Sequence, residues 1–488
     1  MKKAGKYIIC GLLGKGGMSA VYKARLPFLN KIVALKMLRA HPNLTSLLGR
    51  EALRARFISE AVTIASLRHP NIIEVLDFDF DGQTPFFTME YYYHDLGRLI
   101  GETYRADFQC RILSLDKIIH YCRQLLLGLA RLRRARVVHR DIKPANLMIS
   151  DDDRIKICDF GFSRLRGERP GNTSGLIVGS PFFAAPEQER DPEGVDHRAD
   201  LYSAGVIVHR MLTGFLPEDG IRNPGDFHPE ADSSWGAFVR KALEDDPDRR
   251  FATPEEMLAA LDELGAIWEK RKQDLCRIRE SRVPAFERAG SQKTLDRGAE
   301  TGSQFPEAAP QVETGKKLRS VAVKASRKEA SAVFGCDELM RPLAYRSHGS
   351  LSCPDERDAV FDYTTGLVWQ RSGSEDRLDR AGAGAYAESL NMEGFAGISG
   401  WRLPTVDELL SLLRRPGFGP EDCLLPAFDS RQKAIWSCDR CTFVSGWYVD
   451  MELGFAGFAD FTCHFFVRAV ADAGPVEKFR QVLTISTK

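Results

Sequence analysis

The sequence predicts an α+β protein: a small strand-rich lobe, a larger helical lobe, and then a second α+β region. Short β-type runs separated by turns, such as Ile32–Leu38, occupy the part of the chain before residue 92. From Leu115 to Leu132 apolar residues recur at a helical period. A polar, irregular stretch over residues 266–350 then precedes a region rich in Gly, Trp and Phe. Two globular parts joined by a linker are therefore expected.

Composition sets limits on the class of protein. The 488 residues are 43% hydrophobic, enough for more than one core, and 68 Lys and Arg balance 67 Asp and Glu. A net charge of +1 gives no reason to expect a nucleic-acid partner. No run approaches the roughly 18 apolar residues that a membrane span needs. The apolar run behind the basic N-terminus is too short for a secretory signal. A cytoplasmic protein is predicted.

The eleven cysteines are scattered and odd in number, which is typical of reduced core thiols and not of a disulfide framework. Cys438 and Cys441 form a single CxxC motif. A zinc site would need two further ligands, for which the nearest candidates are Cys423, Cys463 and His464. Structural thiols are the favoured interpretation, with metal binding and redox chemistry as the alternatives.

A glycine-rich loop lies between the first two predicted strands. Glycines let the main chain approach phosphate groups closely and direct N–H groups at them. A strand and not a helix follows the loop, which excludes the dinucleotide-binding fingerprint, and no Gly-Lys-Ser/Thr closes it as in a Walker A loop. The candidate nucleotide-binding segment is Leu13, Gly14, Lys15, Gly16, Gly17, Met18, Ser19, Ala20 and Val21.

Lys36 ends an apolar strand-like run, Val33-Ala34-Leu35-Lys36. An ammonium group in such a place is costly unless it is paired or faces phosphate. The following helical run, residues 54–67, offers Glu60 as its carboxylate partner.

Two strings carry the catalytic groups. Val138-His139-Arg140-Asp141-Ile142-Lys143-Pro144-Ala145-Asn146 is followed shortly by Ile155-Lys156-Ile157-Cys158-Asp159-Phe160-Gly161. Carboxylate and amide oxygens are hard ligands that suit Mg²⁺ together with substrate phosphates. Phosphoryl transfer needs metal, positioning and charge neutralisation more than covalent help from the protein.

Residues 7–264 resemble the bacterial serine/threonine branch of the protein kinase superfamily, on all the motifs above taken in order. The resemblance implies a bilobal fold, with an antiparallel sheet and one helix in the N-lobe and a mainly helical C-lobe. It also implies ATP with Mg²⁺ or Mn²⁺ as cofactors, protein substrates, and phosphorylation of Ser and Thr hydroxyls, including the chain's own.

The resemblance implies a role for each matching residue. Asp141 would accept the proton of the substrate hydroxyl, and Lys143 would neutralise the γ-phosphate. Asn146 and Asp159 would hold the metal. Lys36 would bind the α- and β-phosphates and pair with Glu60 in the active state. Around the adenine the resemblance places Leu13, Val21, Ala34 and Met148, with Met89 as gatekeeper and Glu90 and Tyr91 as the hinge.

Further residues would support the site. Glu187 is expected to pair with Arg250, and Asp200 to anchor the catalytic loop from the helix below. A phosphate on Thr173 or Ser174 would pair with Arg140 and order the activation segment, residues 159–187; a plain polar loop is the alternative. The stretch 94–115 is expected to be a peripheral insertion.

Residues 351–473 resemble the bacterial Lcl-type C-terminal domain, a C-type-lectin-like fold, through strings such as Gly400-Trp401-Arg402-Leu403-Pro404-Thr405. A binding or sensing module with a ligand or protein partner is expected there. The predicted division is a kinase domain over 7–264, a charged helix and flexible linker over 265–350, this module, and a tail over 474–488. Within the linker, Lys316–Lys328 is basic, and a solvated run is favoured over a binding patch.

Two other functions fit parts of the sequence. A pseudokinase scaffold would bind partners without phosphoryl transfer, but it would not need Lys36, Asp141, Asn146 and Asp159 together. A small-molecule kinase of the aminoglycoside type would share the spacing of Asp and Asn, but it would lack the Ala-Pro-Glu string that this chain carries at 185–187.

Overall fold

A computed structural model describes residues 2–105, 107–160, 164–165, 182–282, 318–345, 351–352, 358–415 and 423–472. The chain divides into two compact units, Met1–Ser281 and Arg282–Lys488. The strands of the first unit are β1 Lys3–Ala4, β2 Tyr7–Lys15, β3 Ser19–Leu26, β4 Lys31–Leu38, β5 Val75–Asp81, β6 Thr84–Glu90, β7 His94–Asp95, β8 Val137–Val138, β9 Leu147–Ile149, β10 Ile155–Ile157 and β11 Arg164–Leu165. Its helices are α1 Pro42–Leu48, α2 Arg50–Ser66, α3 Leu96–Ile100, α4 Leu115–Arg134, α5 Glu187–Arg190, α6 Arg198–Thr213, α7 Ser233–Ala242 and α8 Pro254–Arg282.

An antiparallel sheet of six strands, in the order β1-β2-β3-β4-β6-β5, forms the N-terminal lobe. Alternation of side chains puts one set of apolar residues inside, where Leu35 and Phe86 are fully buried. Helix α2 covers the sheet and packs Phe57 against Phe87, with ring centroids 5.3 Å apart. The predicted lobe of a sheet plus a helix is confirmed.

The C-terminal lobe is built around α4 and α6. Ser114 caps the start of α4 by accepting a hydrogen bond from the Lys117 N–H. Three arginines in its last turn complement the helix dipole. Apolar residues on one face of α4, among them Ile118 and Leu125, are buried, as the helical period predicts. Helix α6 ends at Gly214, whose φ of 77° is the left-handed conformation that glycine adopts at low cost.

Helix α8 continues 18 residues beyond the predicted domain end at 264. The charged helix predicted at the start of the 265–350 stretch is the second half of α8, and Trp268 and Lys272 attach it to the helical lobe. Trp268 is buried and its indole N–H donates to Asp116 over 3.2 Å, while Lys272 Nζ lies 2.8 Å from the same carboxylate. Because this segment is mostly charged, its composition did not indicate that Trp268 is buried and attaches the helix to the lobe.

The stretch 94–115 is not a peripheral insertion. Its Glu102 forms a fully buried ion pair with Arg210 of α6, with N–O distances of 2.9 Å. Arg111 is also buried and donates to the main-chain oxygens of Arg98 and Leu99. Glu102 and Arg111 therefore have their hydrogen-bond partners inside the lobe, whereas Arg98 and Arg105 are exposed.

The second unit contains two antiparallel sheets. Its strands are β12 Leu351–Ser352, β13 Ala359–Asp362, β14 Leu367–Gln370, β15 Ala434–Arg440, β16 Ser445–Asp450, β17 Phe455–Asp460 and β18 Val470–Asp472, and its helices are α9 Ala330–Phe334, α10 Arg380–Met392 and α11 Val406–Leu410. One sheet has the order β12-β13-β14-β18 and the other β15-β16-β17. Trp369, Trp436 and Trp447 are buried between these elements.

Part of the predicted linker belongs to this second unit. Residues 318–345 contribute Ala325, Ala330 and Phe334 to its main apolar core, and Phe334 packs edge-on against Trp447 at 5.2 Å. Arg319 pairs with Asp407 and Asp439. The buried residues Ala325, Ala330 and Phe334 are therefore enough to attach this segment to the second unit. The remainder of the predicted linker between 283 and 317, and the tail 474–488, lie outside the described residues.

Both units mix helices and sheets, so the predicted α+β class is confirmed. None of the helices in the described part of the chain combines the length and apolar character that a bilayer crossing needs.

Candidate active site

Lys36 joins the two lobes of the first unit. From β4 its Nζ lies 2.5 Å from Oε1 of Glu60 on α2 and 2.8 Å from Oδ1 of Asp159, which follows β10. Burial opposes the charge on Lys36, but the carboxylates of Asp159 and Glu60 outweigh it and raise its pKa. The lysine ammonium in turn lowers the pKa of Asp159 to about 2. The predicted partner of Lys36 is thus in contact with it.

Asp141 sits on a loop after β8, buried beside the same cleft. Its Oδ2 accepts hydrogen bonds from Lys143 Nζ at 2.8 Å and from Asn146 Nδ2 at 3.0 Å. Asn146 Nδ2 also donates to the Asp141 main-chain oxygen over 2.8 Å. A short 3₁₀ turn at Pro144–Asn146 brings the Asn146 side chain back to Asp141. The three residues predicted from the first string therefore form one hydrogen-bonded group.

The catalytic loop is anchored from below by Asp200, as predicted. Its carboxylate accepts the main-chain N–H groups of His139 and Arg140, at 2.9 and 2.8 Å. Burial raises the pKa of Asp200, although both bonds favour its charged form. Arg140 has a φ of 67°, a conformation that costs a residue with a side chain about 1–3 kcal/mol. The two bonds from Asp200 stabilise this turn.

Asn146 and Asp159 fit the metal that the sequence implies. The Asn146 amide donates through Nδ2, so its Oδ1 takes part in neither of the bonds to Asp141. Asp159 uses Oδ1 for Lys36, and its side chain is 46% exposed. A carboxylate and an amide oxygen on adjacent loops are the hard donor set that Mg²⁺ prefers. The main-chain bond from the Cys158 N–H to the Asn146 oxygen, 2.9 Å long, holds these loops together.

The glycine-rich loop is the hairpin between β2 and β3. The Gly16 N–H donates to Ser19 O over 2.8 Å, and a Cβ atom at Gly14 or Gly17 would meet no other atom within 4 Å. The loop's outer side is therefore open. Main-chain oxygens of Gly17 and Met18 accept from the segment after β4, which ties the loop to the sheet.

Four of the residues predicted around the nucleotide share one face of the sheet. In the strand register Val21 lies opposite Lys36, and Ala34 lies opposite Met89. Because facing residues point to the same side and side chains alternate along a strand, all four lie on the side of Lys36. Leu13 lies where the β2–β3 ladder is irregular and is exposed, and Met148 is half-buried on β9.

The predicted hinge follows β6. Glu90 is the last residue of that strand, and its side chain pairs with Lys156 at 3.2 Å. The Tyr91 ring lies under Lys23 Nζ at 5.1 Å. Because both side chains already have partners, a ligand at this hinge would be bound by main-chain N–H and C=O groups.

The anchor at the end of the activation segment is formed as predicted. Arg250 donates to both carboxylate oxygens of Glu187, at 2.6 and 2.7 Å, and its side chain is fully buried. Such a two-bond pair fixes geometry as well as charge. Thr173 and Ser174 lie outside the described residues.

Two contacts of this site were not expected from the sequence. His139 packs edge-on against Phe160 at 4.7 Å and its Nε2 lies 3.1 Å from Cys158 O, so it ties the two catalytic strings together. Gln188 Nε2 donates to Arg140 O over 2.9 Å. The position of Gln188, directly after the Ala-Pro-Glu string, was the available signal.

The CxxC motif of the second unit has no place in this site. Cys438 and Cys441 are both free, and burial raises the pKa of the Cys438 thiol to about 12. Among the residues that the structure describes, no group of three or more His, Cys, Asp and Glu side chains is placed to hold a metal ion.

Comparison with known proteins agrees with the geometry. Residues 7–264, more than half of the chain, match the protein kinase domain. The chain belongs to the protein kinase family. Membership implies the use of ATP and a divalent metal ion, for which this kinase domain has the donor set described above. Residues 358–471 match the Lcl C-terminal domain, so the resemblance of the second region to that domain is confirmed.

Several bacterial kinases are similar to this kinase chain. A serine/threonine-protein kinase of Myxococcus xanthus is 35% identical over 252 residues, which are 50% of this chain and 42% of that protein. The kinase PksC of Streptomyces coelicolor is 34% identical, covering 52% and 48% of the two chains. PknL of Mycobacterium tuberculosis is 35% identical, covering 44% and 51%. The chain thus spans about half or less of the length of these curated relatives.

Proposed function

We propose that this chain transfers the γ-phosphoryl group of ATP to Ser and Thr hydroxyls of proteins. The observation that carries the proposal is the contact of Lys36 Nζ with both Glu60 and Asp159 across the lobes. The same cleft holds Asp141 and Asn146 within one hydrogen-bonded group. A cation for phosphate, a base for a hydroxyl and two oxygen ligands for a metal are what phosphoryl transfer requires.

Each side chain has one task in the proposed reaction. Asp141 accepts the proton of the substrate hydroxyl, and its bonds to Lys143 and Asn146 hold the carboxylate in one orientation. Lys143 stabilises negative charge on the γ-phosphoryl group. Lys36 binds the α- and β-phosphates, for which Glu60 and Asp159 hold its ammonium in place. Mg²⁺ or Mn²⁺, held by Asn146 and Asp159, supplies further charge neutralisation when bound.

A protein substrate is proposed over a small molecule because of the platform behind the activation segment. The Glu187–Arg250 pair, the bond from Gln188 to Arg140 O and the bond from Ser203 Oγ to Phe183 O all fix this platform beside the catalytic loop. An extended platform next to Asp141 serves a peptide chain. Lys143, two positions after the base, favours Ser and Thr over Tyr by its likeness to the family.

Transfer from labelled ATP to a generic basic protein tests the proposal. The full chain with Mg²⁺ is expected to label Ser and Thr, and Asp141→Asn is expected to lower the rate by about 10²- to 10⁴-fold. Asp152→Asn, on an exposed turn, is the matched control and retains the wild-type rate. Nucleotide binding without transfer would favour the pseudokinase, and label on an aminoglycoside instead of protein would favour the small-molecule kinase.

We further propose that a phosphate on Thr173 or Ser174 activates the kinase through Arg140. The Arg140 guanidinium donates to the main-chain oxygens of Pro192 and Val195, next to the base. Charge-assisted bonds to a phosphate would replace these weaker ones. Double substitution to Ala is expected to give the activity of the dephosphorylated wild type. Equal activity of the variant, the phosphorylated wild type and the dephosphorylated wild type would contradict this.

For the rest of the chain we propose a cytoplasmic location and a sensing or binding role for the C-type-lectin-like module. The proposed domains are the kinase over 7–264, extended by the α8 segment to 282, and the module, extended at its N-terminal side to 318. The contacts of Trp268 and of Phe334 described above support these two extended domain boundaries.

A further inference from the structure

The hairpin between β15 and β16 presents apolar side chains to solvent. Phe443 is 82% exposed and Val444 is 64% exposed. The turn is held rigid, because the N–H groups of Cys441 and Thr442 both donate to Ser445 O, over 3.0 and 3.2 Å. The Val444 oxygen accepts from the Phe461 N–H over 3.0 Å, which ties the tip to β17. The apolar tip is thus a fixed feature of the second unit.

Exposed cationic side chains lie beside this tip and on the adjoining segment, where the Arg327 guanidinium lies 3.8 Å from the centroid of the Phe458 ring on β17. Lys324 Nζ lies 3.9 Å from the centroid of the Phe443 ring. The segment of Lys324 is joined to Arg440, the last residue of β15, by hydrogen bonds from the Ala325 N–H and to the Val323 oxygen, each 2.9 Å. We call residues 321–328 and 440–444 the basic hairpin surface; its exposed cations are Lys324, Arg327, Lys328 and Arg440.

Two carboxylates adjoin this surface, Glu329 next in sequence and Asp460 opposite Ser445 in the β16–β17 ladder, so its four cations outnumber them. The two segments of the basic hairpin surface contain no Asp or Glu. The neighbouring Asp439 is buried and its carboxylate faces Arg319, Val323 N–H and Val406 N–H. Glu329 accepts hydrogen bonds from the Ser326 N–H and hydroxyl, at 3.2 and 2.6 Å, which leave its negative charge in place. The described cations of the basic run are exposed, and the fold brings Lys324 against the apolar tip.

We propose that the basic hairpin surface docks on an anionic phospholipid membrane. Phe443 and Val444 enter the boundary between headgroups and acyl chains, and the four cations pair with lipid phosphates and carboxylates. Exposed apolar side chains beside Lys and Arg gain from burial and from the negative surface potential together. Each contribution is modest, so the docking is peripheral and reversible.

The apolar residues favour a membrane over nucleic acid as the occupant. Val444, and Val321 at 72% exposure, are aliphatic and gain nothing from base stacking, but they gain from an apolar boundary. One face of the Phe443 ring is already covered by Lys324. Stacking on a base would have to use the opposite face, whereas insertion of the ring edge into lipid needs neither face.

Sedimentation of the full chain with vesicles tests the proposal. Binding is expected to equimolar phosphatidylcholine and phosphatidylserine but not to phosphatidylcholine alone, and to weaken as salt rises from about 0.1 to about 1 M. Phe443→Ser is expected to weaken binding about tenfold and Lys324→Gln about fivefold. Met392→Ser, at another residue of the same unit with 85% exposure, is the control and leaves binding unchanged.

Three results would overturn the proposal. The first is the absence of sedimentation with the anionic vesicles, and the second is equal loss of binding with Phe443→Ser and Met392→Ser. The third is tighter binding to single-stranded DNA or to heparin than to vesicles, with no effect of Phe443→Ser, which would assign the cations to another polyanion. Thermal unfolding of each variant, expected to match the wild type, excludes misfolding as the cause of a loss.

Discussion

Each of the two units brings one cation against two carboxylates, and the two clusters differ in how the carboxylate oxygens are used. In the second unit, Asp439 accepts four bonds, two from Arg319 and two from main-chain N–H groups. In the first unit, Asp159 uses one oxygen for Lys36 and remains 46% exposed. A saturated carboxylate fixes a fold, whereas a carboxylate with a remaining exposed oxygen is available to a metal. The residue types alone do not distinguish the two cases.

The largest expected effect comes from removing Lys36, the cation of the cluster in the first unit. Lys36→Met leaves Glu60 and Asp159 facing each other in a buried site and removes the group proposed to bind phosphate. Phosphoryl transfer is expected to fall by at least about 10²-fold, measured with labelled ATP. Lys31→Met, on an exposed end of the same strand, should keep the wild-type rate. A Lys36→Met variant with normal activity would refute the role of this cluster.

Removing Asp439 from the cluster in the second unit should lower the stability of that unit and leave the rate of phosphoryl transfer unchanged. Asp439→Ala removes the partner of Arg319 and of two main-chain N–H groups, which is expected to cost about 3–5 kcal/mol of unfolding free energy. Urea unfolding followed by tryptophan fluorescence measures it, since Trp369, Trp436 and Trp447 all lie in this unit. Glu388→Ala on the exposed face of α10 should change it by less than about 0.5 kcal/mol. If the two variants unfold alike, Asp439 does not stabilise the unit.

A smaller effect is expected where the family match ends. Trp268→Ala removes a buried ring and its bond to Asp116, and should destabilise the first unit by about 3 kcal/mol. Ile267→Ala, at a more exposed neighbour, is the matched control and should cost clearly less. A thermal unfolding curve measures both. Equal effects would show that the helical lobe does not depend on the second half of α8.

The smallest expected effect is a pH dependence at the same contact region. Burial raises the pKa of Glu230 to about 7, helped by Asp116 and opposed by Lys272. The folded state then holds this proton at a pH where the unfolded chain has lost it, so stability from this group falls as pH rises from about 4.5 to about 7. Glu230→Gln should remove that fall. Its Tm relative to wild type is expected to increase from pH 5 to pH 8, and a constant difference would contradict the raised pKa.

The resemblance to protein kinases predicted most of the contacts in the site of the first unit, because the family's catalytic residues occur in short strings that can be matched one by one. Lys36, Asp141, Asn146 and Asp159 meet as expected, and so do Glu187 and Arg250. Glu60 was predicted as the carboxylate partner that the following helical run offers to Lys36, and the contact is present. The fold class of the first unit was predicted from the alternation of apolar residues in its strands.

The errors share one physical cause. Glu102, Arg111 and Trp268 lie in polar stretches, and each is buried by a partner far away in sequence or by main-chain oxygens. The composition of a segment is an average over its residues, so it does not indicate that one particular polar side chain is buried with its hydrogen bonds made. The same averaging assigned Phe334 to a linker, although it is part of a core. Long-range pairs of this kind need coordinates or an alignment to be recognised.

The length of α8 has a consequence for how the chain leaves the first unit. A helix advances about 1.5 Å and turns about 100° with each residue. Trp268 and Lys272 fix the rotation of this helix on the lobe, so the bearing at which residue 282 emerges is fixed as well. Deleting one residue between 273 and 282 would rotate the remaining helical residues by about 100° about the helix axis and leave the contacts of Trp268 and Lys272 intact.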